Sequence, residues 1–191
     1  MKLIIGLGNP GVSYKATRHN AGAMAVERLA KKEKLVFKAN RSFKSYTASG
    51  KINGEPVCLV LPQTFMNISG EAVEALVKKR RITHQDVLIV YDDVNLLLGE
   101  IKAKPKGSDG GHHGLASVIE KLGCCDIPRL RLGIGCQGLR GDLTDHVLSR
   151  FDKKEAEIIE GILEKASEAI KIWVLEGMDK CMNVCNTKTK R

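Results

Sequence analysis

The sequence predicts an α/β fold, a single three-layer αβα domain spanning residues 1–191 around a mixed, mostly parallel twisted sheet. Three observations carry this. Short apolar runs with strand character alternate with segments of helical periodicity from end to end, the pattern of βαβ units. No repeat, low-complexity tract or Pro/Ser-rich linker interrupts the alternation. The Asn53-Gly54 pair sits between two strand-like runs, which joins an antiparallel hairpin to the parallel core.

In chain order, Lys2 to Gly6 reads as a buried strand, because Leu3-Ile4-Ile5 is a short apolar run ended by glycine. Ala21 to Lys34 reads as a helix with Ala21, Met24, Ala25 and Leu29 near one face, Lys31, Lys32 and Lys34 toward its end, and Asn20 as N-cap. Tyr46 to Lys51 and Pro56 to Leu61 are the hairpin strands, Asn-Gly supplying the positive φ values of the tight turn. Ser69 to Arg81 has helical spacing at Val73, Leu76 and Val77, with Asn67 placed to cap it. Val87 to Tyr91 is a buried strand closing on Asp92-Asp93, and Ile101 to Lys104 a further strand. The glycine-rich stretch from Lys106 to Gly114 leads into a helix over Ala116 to Leu122. A strand over Leu130 to Ile134 and a long helix over Lys153 to Glu176 complete the reading.

Lys plus Arg number 31 against 22 Asp plus Glu, and the resulting +9 places a polyanion first among partners. Aromatics are only 4%, too few for a broad base-stacking platform, so any nucleic acid is read through phosphates and shape. The basic residues Lys102, Lys104, Lys106, Arg129 and Arg131 bracket the glycine-rich loop, and Lys78 to Arg81 form a second cluster. The chain offers no signal-peptide apolar region and no apolar run near the ~18 residues a membrane span needs, so a cytoplasmic location is expected. Its six cysteines are then expected to be reduced and mostly buried, and their spacing matches no zinc ligand set.

Gly6-x-Gly8-x-x-Gly11 after the first strand matches the dinucleotide fingerprint, in which a helix N-terminus meets a pyrophosphate. Here Pro10 interrupts the turn and the next helix starts near Asn20, too late for its dipole to serve a phosphate. Lys38 and Arg41 stand where an acidic ribose ligand belongs, which leaves only an NADP variant as a weak third reading. Otherwise the glycines form a turn that positions Asn9.

Polar groups follow several strands: Asn9, the Tyr14 to Asn20 stretch, Thr64 to Asn67, and Asp92. In open α/β sheets those strand ends form the ligand crevice. His19 lies in Thr17-Arg18-His19-Asn20, and imidazole titrates near physiological pH, which suits a general base. Alone it reads as a surface side chain. A carboxylate at Asp92 closing on it would fix the tautomer and raise basicity, so that it could activate water. No Gly-x-Ser-x-Gly elbow or cysteine–histidine motif supports a covalent nucleophile, and no metal spacing is present, adjacent His112 and His113 being poorly placed to converge on one ion.

These residues resemble the bacterial-type peptidyl-tRNA hydrolases over nearly the whole chain. The motifs are Gly6-Leu7-Gly8-Asn9-Pro10-Gly11, Tyr14-x-x-Thr17-Arg18-His19-Asn20-Ala21-Gly22, Pro62-x-Thr64-Phe65-Met66-Asn67-x-Ser69-Gly70, Asp92, and Arg129-Leu130-Arg131-x-Gly133-Ile134-Gly135. The resemblance implies a monomeric esterase, without metal or cofactor, that cleaves peptide from the terminal ribose of tRNA and recycles the tRNA for translation. By position, His19 resembles the catalytic base and Asp92 its partner, Asn9, Met66 and Asn67 the peptide cleft, and Tyr14 a residue beside the tRNA terminus. Lys104 and Arg131 resemble the clamp on the tRNA 5′-phosphate, and Cys136 to Leu148 a mobile cleft rim. One match breaks: the family's Gly-Gly-His-Asn-Gly is Gly110-Gly111-His112-His113-Gly114 here, so His113 replaces an asparagine that binds substrate or positions water. That departure leaves a second reading, an RNA-binding module on the same fold without hydrolysis, against which the retained His19 and Asp92 argue.

Overall fold

The computed structural model describes residues 1–136 and 142–187. Its strands are Lys2–Gly6 (β1), Lys38–Asn40 (β2), Ser45–Ile52 (β3), Glu55–Pro62 (β4), Val87–Leu97 (β5), Ile101–Lys104 (β6) and Arg129–Gly135 (β7). Its helices are Ala21–Lys32 (α1), Ser69–Arg80 (α2), His113–Leu122 (α3), Leu143–Leu148 (α4), Lys153–Glu176 (α5) and Met178–Cys185 (α6). The strands form one sheet in the order β2-β3-β4-β1-β5-β7-β6. Pairings β4-β1, β1-β5 and β5-β7 are parallel, and β2-β3, β3-β4 and β6-β7 are antiparallel, so the sheet is mixed as expected.

Alternation along β1 divides the core. Ile4 packs with Ala25, Leu29, Leu163, Ile170 and Trp173 beneath α1 and α5, while Leu3 and Ile5 face Val73, Leu76, Leu115 and Val118 beneath α2 and α3. Period two in a strand places successive side chains on opposite faces, so one apolar run serves both helical layers. The hairpin turns at Asn53 (φ 47°) and Gly54 (φ 91°), the two left-handed positions its sequence suits.

Several boundaries differ from the sequence reading, each for a tertiary reason. Asn20 does not cap α1: its side chain is taken up by the backbone of Asn9, and the Ala23 amide donates instead to the Leu7 carbonyl at 2.9 Å. Asn67 does not cap α2 either, because the Gly70 amide donates to Ser117 Oγ of α3 at 3.0 Å. Helix α1 stops at Lys32, with Lys34 in the left-handed region (φ 55°). Helix α3 starts at His113 rather than Ala116, since His112 Nδ1 accepts from the Leu115 amide at 3.1 Å. Strand β5 continues past Tyr91 through a register shift between Asp93 and Leu97, its carboxylates being compensated locally. Strand β2 and helices α4 and α6, of 3, 6 and 8 residues, are absent from the sequence reading because each is too short to repeat a pattern more than about twice. All the cysteines are free, but Cys125 and Cys136 are exposed rather than buried.

The glycine fingerprint serves packing. A Cβ on Gly6 would lie 2.7 Å from the Gly22 carbonyl oxygen, and one on Gly22 only 2.2 Å from the Val90 carbonyl oxygen. Helix α1 thus crosses the ends of β1 and β5 at backbone contact, which seats the residues just before it over the parallel strands. Gly22→Ala is therefore expected to cost about 1–3 kcal/mol by overpacking against backbone that cannot yield, measured as a lower midpoint in urea denaturation with an unchanged slope.

Candidate active site

The segments following β1, β4 and β5 converge at the carboxyl ends of the parallel strands, where an open α/β sheet forms its crevice. Asn9 is clamped at two points: its backbone amide donates to Asn20 Oδ1 and its carbonyl accepts from Asn20 Nδ2, both at 2.9 Å. Asn9 Oδ1 in turn accepts from the Met66 amide at 2.8 Å. The carbonyl side of the Asn9 amide is thereby spent on the fold, and its Nδ2 donors are the part offered to the cleft.

His19 stands in a single 3-10 turn, Arg18–Asn20, that runs directly into α1. It is 8% exposed rather than a surface side chain. Its Nδ1 lies 3.0 Å from both oxygens of Asp92, which is buried at the end of the parallel part of β5. A second imidazole completes the group, because His112 Nε2 is 3.1 Å from Asp92 Oδ1. Since His112 Nδ1 accepts from the Leu115 amide, that nitrogen carries no proton, and Nε2–H donates to Asp92. His19 likewise donates through Nδ1, which leaves its Nε2 lone pair without a protein partner among the described residues.

Burial opposes the charge on Asp92, yet the positive potential of His112 and the hydrogen bonds from His112 and His19 outweigh it, holding the carboxyl well below the usual carboxylate range. One fixed anion thus faces two rings whose centroids are 4.9 Å apart. Tyr91 packs edge-on against His112 at 4.8 Å, and burial with the Asp93 charge pushes its hydroxyl up to about 12, so it stays neutral.

His19, Asp92 and His112 offer ligand atoms within 4.8 Å of one another, a cluster that could in principle hold a metal ion. With both histidine nitrogens facing Asp92 protonated, their lone pairs are not presented to a cation, and the arrangement is one of proton donors around a carboxylate. The cleft beside them has a volume of about 730 Å³. Phe65, Met66 and Asn67 form one wall, Leu143, Thr144, Val147 and Leu148 of α4 another, with Asn9, His19, Asp92, His112 and His113 also facing it. An apolar cleft with a few convergent polar groups suits a chain of varied side chains held by its backbone.

The sequence candidates are not all gathered here. His19, Asp92, Asn9, Met66, Asn67 and His113 line the cleft. Tyr14 is half-buried in the turn before His19, outside the cleft walls, with its carbonyl accepting from Thr17 Oγ1 at 2.8 Å. Lys104 is exposed on the edge strand β6, opposite Arg129, while Arg131 is opposite Lys102. Arg131 Nε is paired with Asp93 Oδ2 at 2.6 Å, so part of its charge is already answered inside the protein. Arg129 is buried and bonds the carbonyls of Gly107, Ser108, Cys125 and Ile127, which removes it from the basic surface and makes it the brace of the glycine-rich loop. The proposed rim is described only in part: residues 137–141 lie outside the described residues, while α4 supplies cleft wall. His112 is the residue sequence reasoning missed. Its signal was available, since of two adjacent histidines only one can face Asp92, and the residue three before Leu115 is an N-cap position.

Known proteins place the chain clearly. Residues 3–191 match the family model described as peptidyl-tRNA hydrolase. A peptidyl-tRNA hydrolase of Carboxydothermus hydrogenoformans is 46% identical over 97% of this chain and 98% of its own length. That of Desulfitobacterium hafniense is 43% identical over 97% of this chain and 100% of its own. A crystal structure of peptidyl-tRNA hydrolase from Acinetobacter baumannii superposes with a TM-score of 0.92 at 36% identity, covering 98% of this chain and 95% of that one.

The depressed carboxyl of Asp92 has a pH signature. The unfolded chain takes up this proton first, so the contribution of Asp92 to stability is complete above about pH 4, the ordinary aspartate value, and is lost as pH falls toward its folded value. Asp92→Asn should therefore flatten the fall of unfolding free energy below pH 4 relative to the wild type, as followed by denaturation at stepped pH. Parallel curves would show that Asp92 is not the carboxylate responsible.

Proposed function

The chain belongs to the peptidyl-tRNA hydrolase family, and on that premise we propose that it cleaves the ester joining a peptide, or an N-blocked aminoacyl group, to the 3′-terminal ribose of tRNA. The released tRNA returns to translation. The observation that carries the mechanism is the His19 Nδ1 to Asp92 contact at 3.0 Å, which directs the free Nε2 lone pair of His19 toward a cleft able to hold an ester.

In this mechanism a water hydrogen-bonded to His19 Nε2 attacks the ester carbonyl while Nε2 takes its proton. The imidazolium so formed is stabilised by Asp92, whose charge is already fixed and needs no reorganisation. The tetrahedral oxyanion is met by side-chain amide donors, of which Asn9 Nδ2 and Asn67 Nδ2 are the candidates on the cleft wall. Collapse expels the ribose oxygen, which receives the proton held at His19 Nε2. His112 keeps Asp92 in place and does not need to change its protonation. Met66 and its neighbours seat the peptide, and His113, exposed on the wall, stands where the family's asparagine would contact substrate or water. A neutral imidazole offers one donor and one acceptor there, and loses the acceptor on protonation.

The tRNA is held through phosphates, with Lys104 and the unpaired part of the Arg131 guanidinium as its clamp and Tyr14 beside the terminus. No metal or cofactor is required by these steps. The enzyme works as a monomer in the cytoplasm. Among the described residues no helix is long and apolar enough to cross a membrane.

Single-turnover hydrolysis of a defined N-blocked aminoacyl-tRNA tests the reading. His19→Ala is expected to lose at least ~10²-fold in turnover, the contribution of a general base, with tRNA affinity kept. Near-normal turnover in that variant would remove His19 from the mechanism. Binding should weaken steeply with salt, and Lys104→Ala should lower the log–log salt slope by about 1 while EDTA leaves activity unchanged. A salt-insensitive affinity, or inactivation by the chelator, is the contrary result. His113→Asn should raise turnover, and an unchanged turnover would take His113 out of the reaction.

A further inference from the structure

We infer, on the hydrolase reading given above, that Arg18 is a positioning residue whose guanidinium sets where the wall helix α4 stands relative to His19. Arg18 is only 7% exposed, although it immediately precedes the catalytic base in a chain rich in exposed cations. Its Nη1 donates to Ser149 Oγ at 2.5 Å and to the Arg150 carbonyl at 2.6 Å, and its Nη2 to Glu155 Oε2 at 2.5 Å. The Phe151 ring lies 5.1 Å from the guanidinium carbon. Glu155 Oε2 also accepts from the Asp152 amide at 2.9 Å, in the capping box that starts α5. One cation thus gathers the whole junction between α4 and α5.

A buried ion pair is costly in desolvation, and an apolar side chain of similar volume often packs such a site as well or better. What an apolar side chain cannot do is hold three acceptors on two segments at fixed directions. The backbone alone already pairs these segments, through the Thr17–Arg150 bridge and the Arg18 amide to the Ser149 carbonyl at 3.0 Å. The side chain adds the fix on Ser149 and Glu155. Ser149 directly follows Val147 and Leu148, both on the cleft wall, and at its other side α4 is held by His146 Nε2 against the Ile134 carbonyl at 2.9 Å. Releasing the Ser149 end would let the wall move while His19 stays on Asp92. The effect therefore belongs to binding of the peptide portion, and the basic residues of β6 lie outside this network.

Arg18→Lys keeps the charge but cannot reach Ser149, Arg150 and Glu155 together. The expected result is a KM for peptidyl-tRNA raised about tenfold, the size of one lost charge-assisted hydrogen bond. The shape of the pH–rate profile should be retained, and the inhibition constant of deacylated tRNA, which has no peptide, should be unmoved. An unchanged KM, an equal rise in KM and in that inhibition constant, or a fall in kcat that only tracks a lower thermal midpoint would each overturn the inference while leaving the hydrolase reading intact. If Arg18→Lys does not fold, Ser149→Ala removes only the hydroxyl at 2.5 Å and should raise KM in the same direction by about two- to threefold, and no rise overturns the inference. A wild-type protein without hydrolysis would overturn both readings.

Discussion

The carboxylate of Asp92, buried among neutral walls and balanced by two imidazole N–H groups, constrains the site more than any other group. A charge so placed is tolerable only if its partners are held as firmly as it is. His19 is held by a 3-10 turn fused to α1, and His112 by its hydrogen bond to the first turn of α3. Two helices on opposite faces of the sheet therefore meet at one side chain at the end of β5. The tautomers of both rings follow from that arrangement, and of their four nitrogens His19 Nε2, on the cleft, is the one without a partner among the described residues.

Bringing helices this close to strand ends requires backbone approaching backbone. Gly22 against Val90, and Gly70 against Ser117, leave no room for a Cβ, while Gly114 leaves none against Met66 Sδ. These glycines sit two to three residues from side chains of the candidate site: His19 and Asn20, Asn67, and His112. Packing and chemistry are thus specified by the same short motifs, which is why each motif mixes glycine with polar residues that have no apolar periodicity.

Three arginines, Arg18, Arg129 and Arg131, are used inside the protein, while Arg41, Arg81 and Arg150 are exposed. Arg18 ties the His19 turn to the α4–α5 junction, Arg129 braces the glycine-rich loop from beneath, and Arg131 is half-committed to Asp93. A planar fork of donors can satisfy several carbonyls at fixed angles, whereas an ammonium on a flexible stem suits a solvated phosphate. Lys102 and Lys104, by contrast, are exposed along an edge strand.

The sequence by itself determined the α/β class, the hairpin at Asn53-Gly54 and the polar groups that follow the apolar runs at Asn9 and Asp92, while the pairing of His19 with Asp92 was a condition it set and the folded chain meets at 3.0 Å. These are local signals: period-two apolar runs, a dipeptide suited to left-handed φ, and polar residues following strands. It also led to capping roles for Asn20 and Asn67 and to a surface role for Arg129, all of which failed for one reason. Each of those residues, or the helix end it was meant to cap, finds its partner far along the chain, and a propensity read within one turn carries no information about such partners. Only the tertiary structure decided that Asn20 holds Asn9, that Ser117 caps α2, that His112 rather than His113 reaches Asp92, and that Arg18 is buried. The physical reason is that a buried polar group takes whichever partner the packed chain brings within about 3 Å, and three-dimensional packing rather than sequence proximity sets that distance.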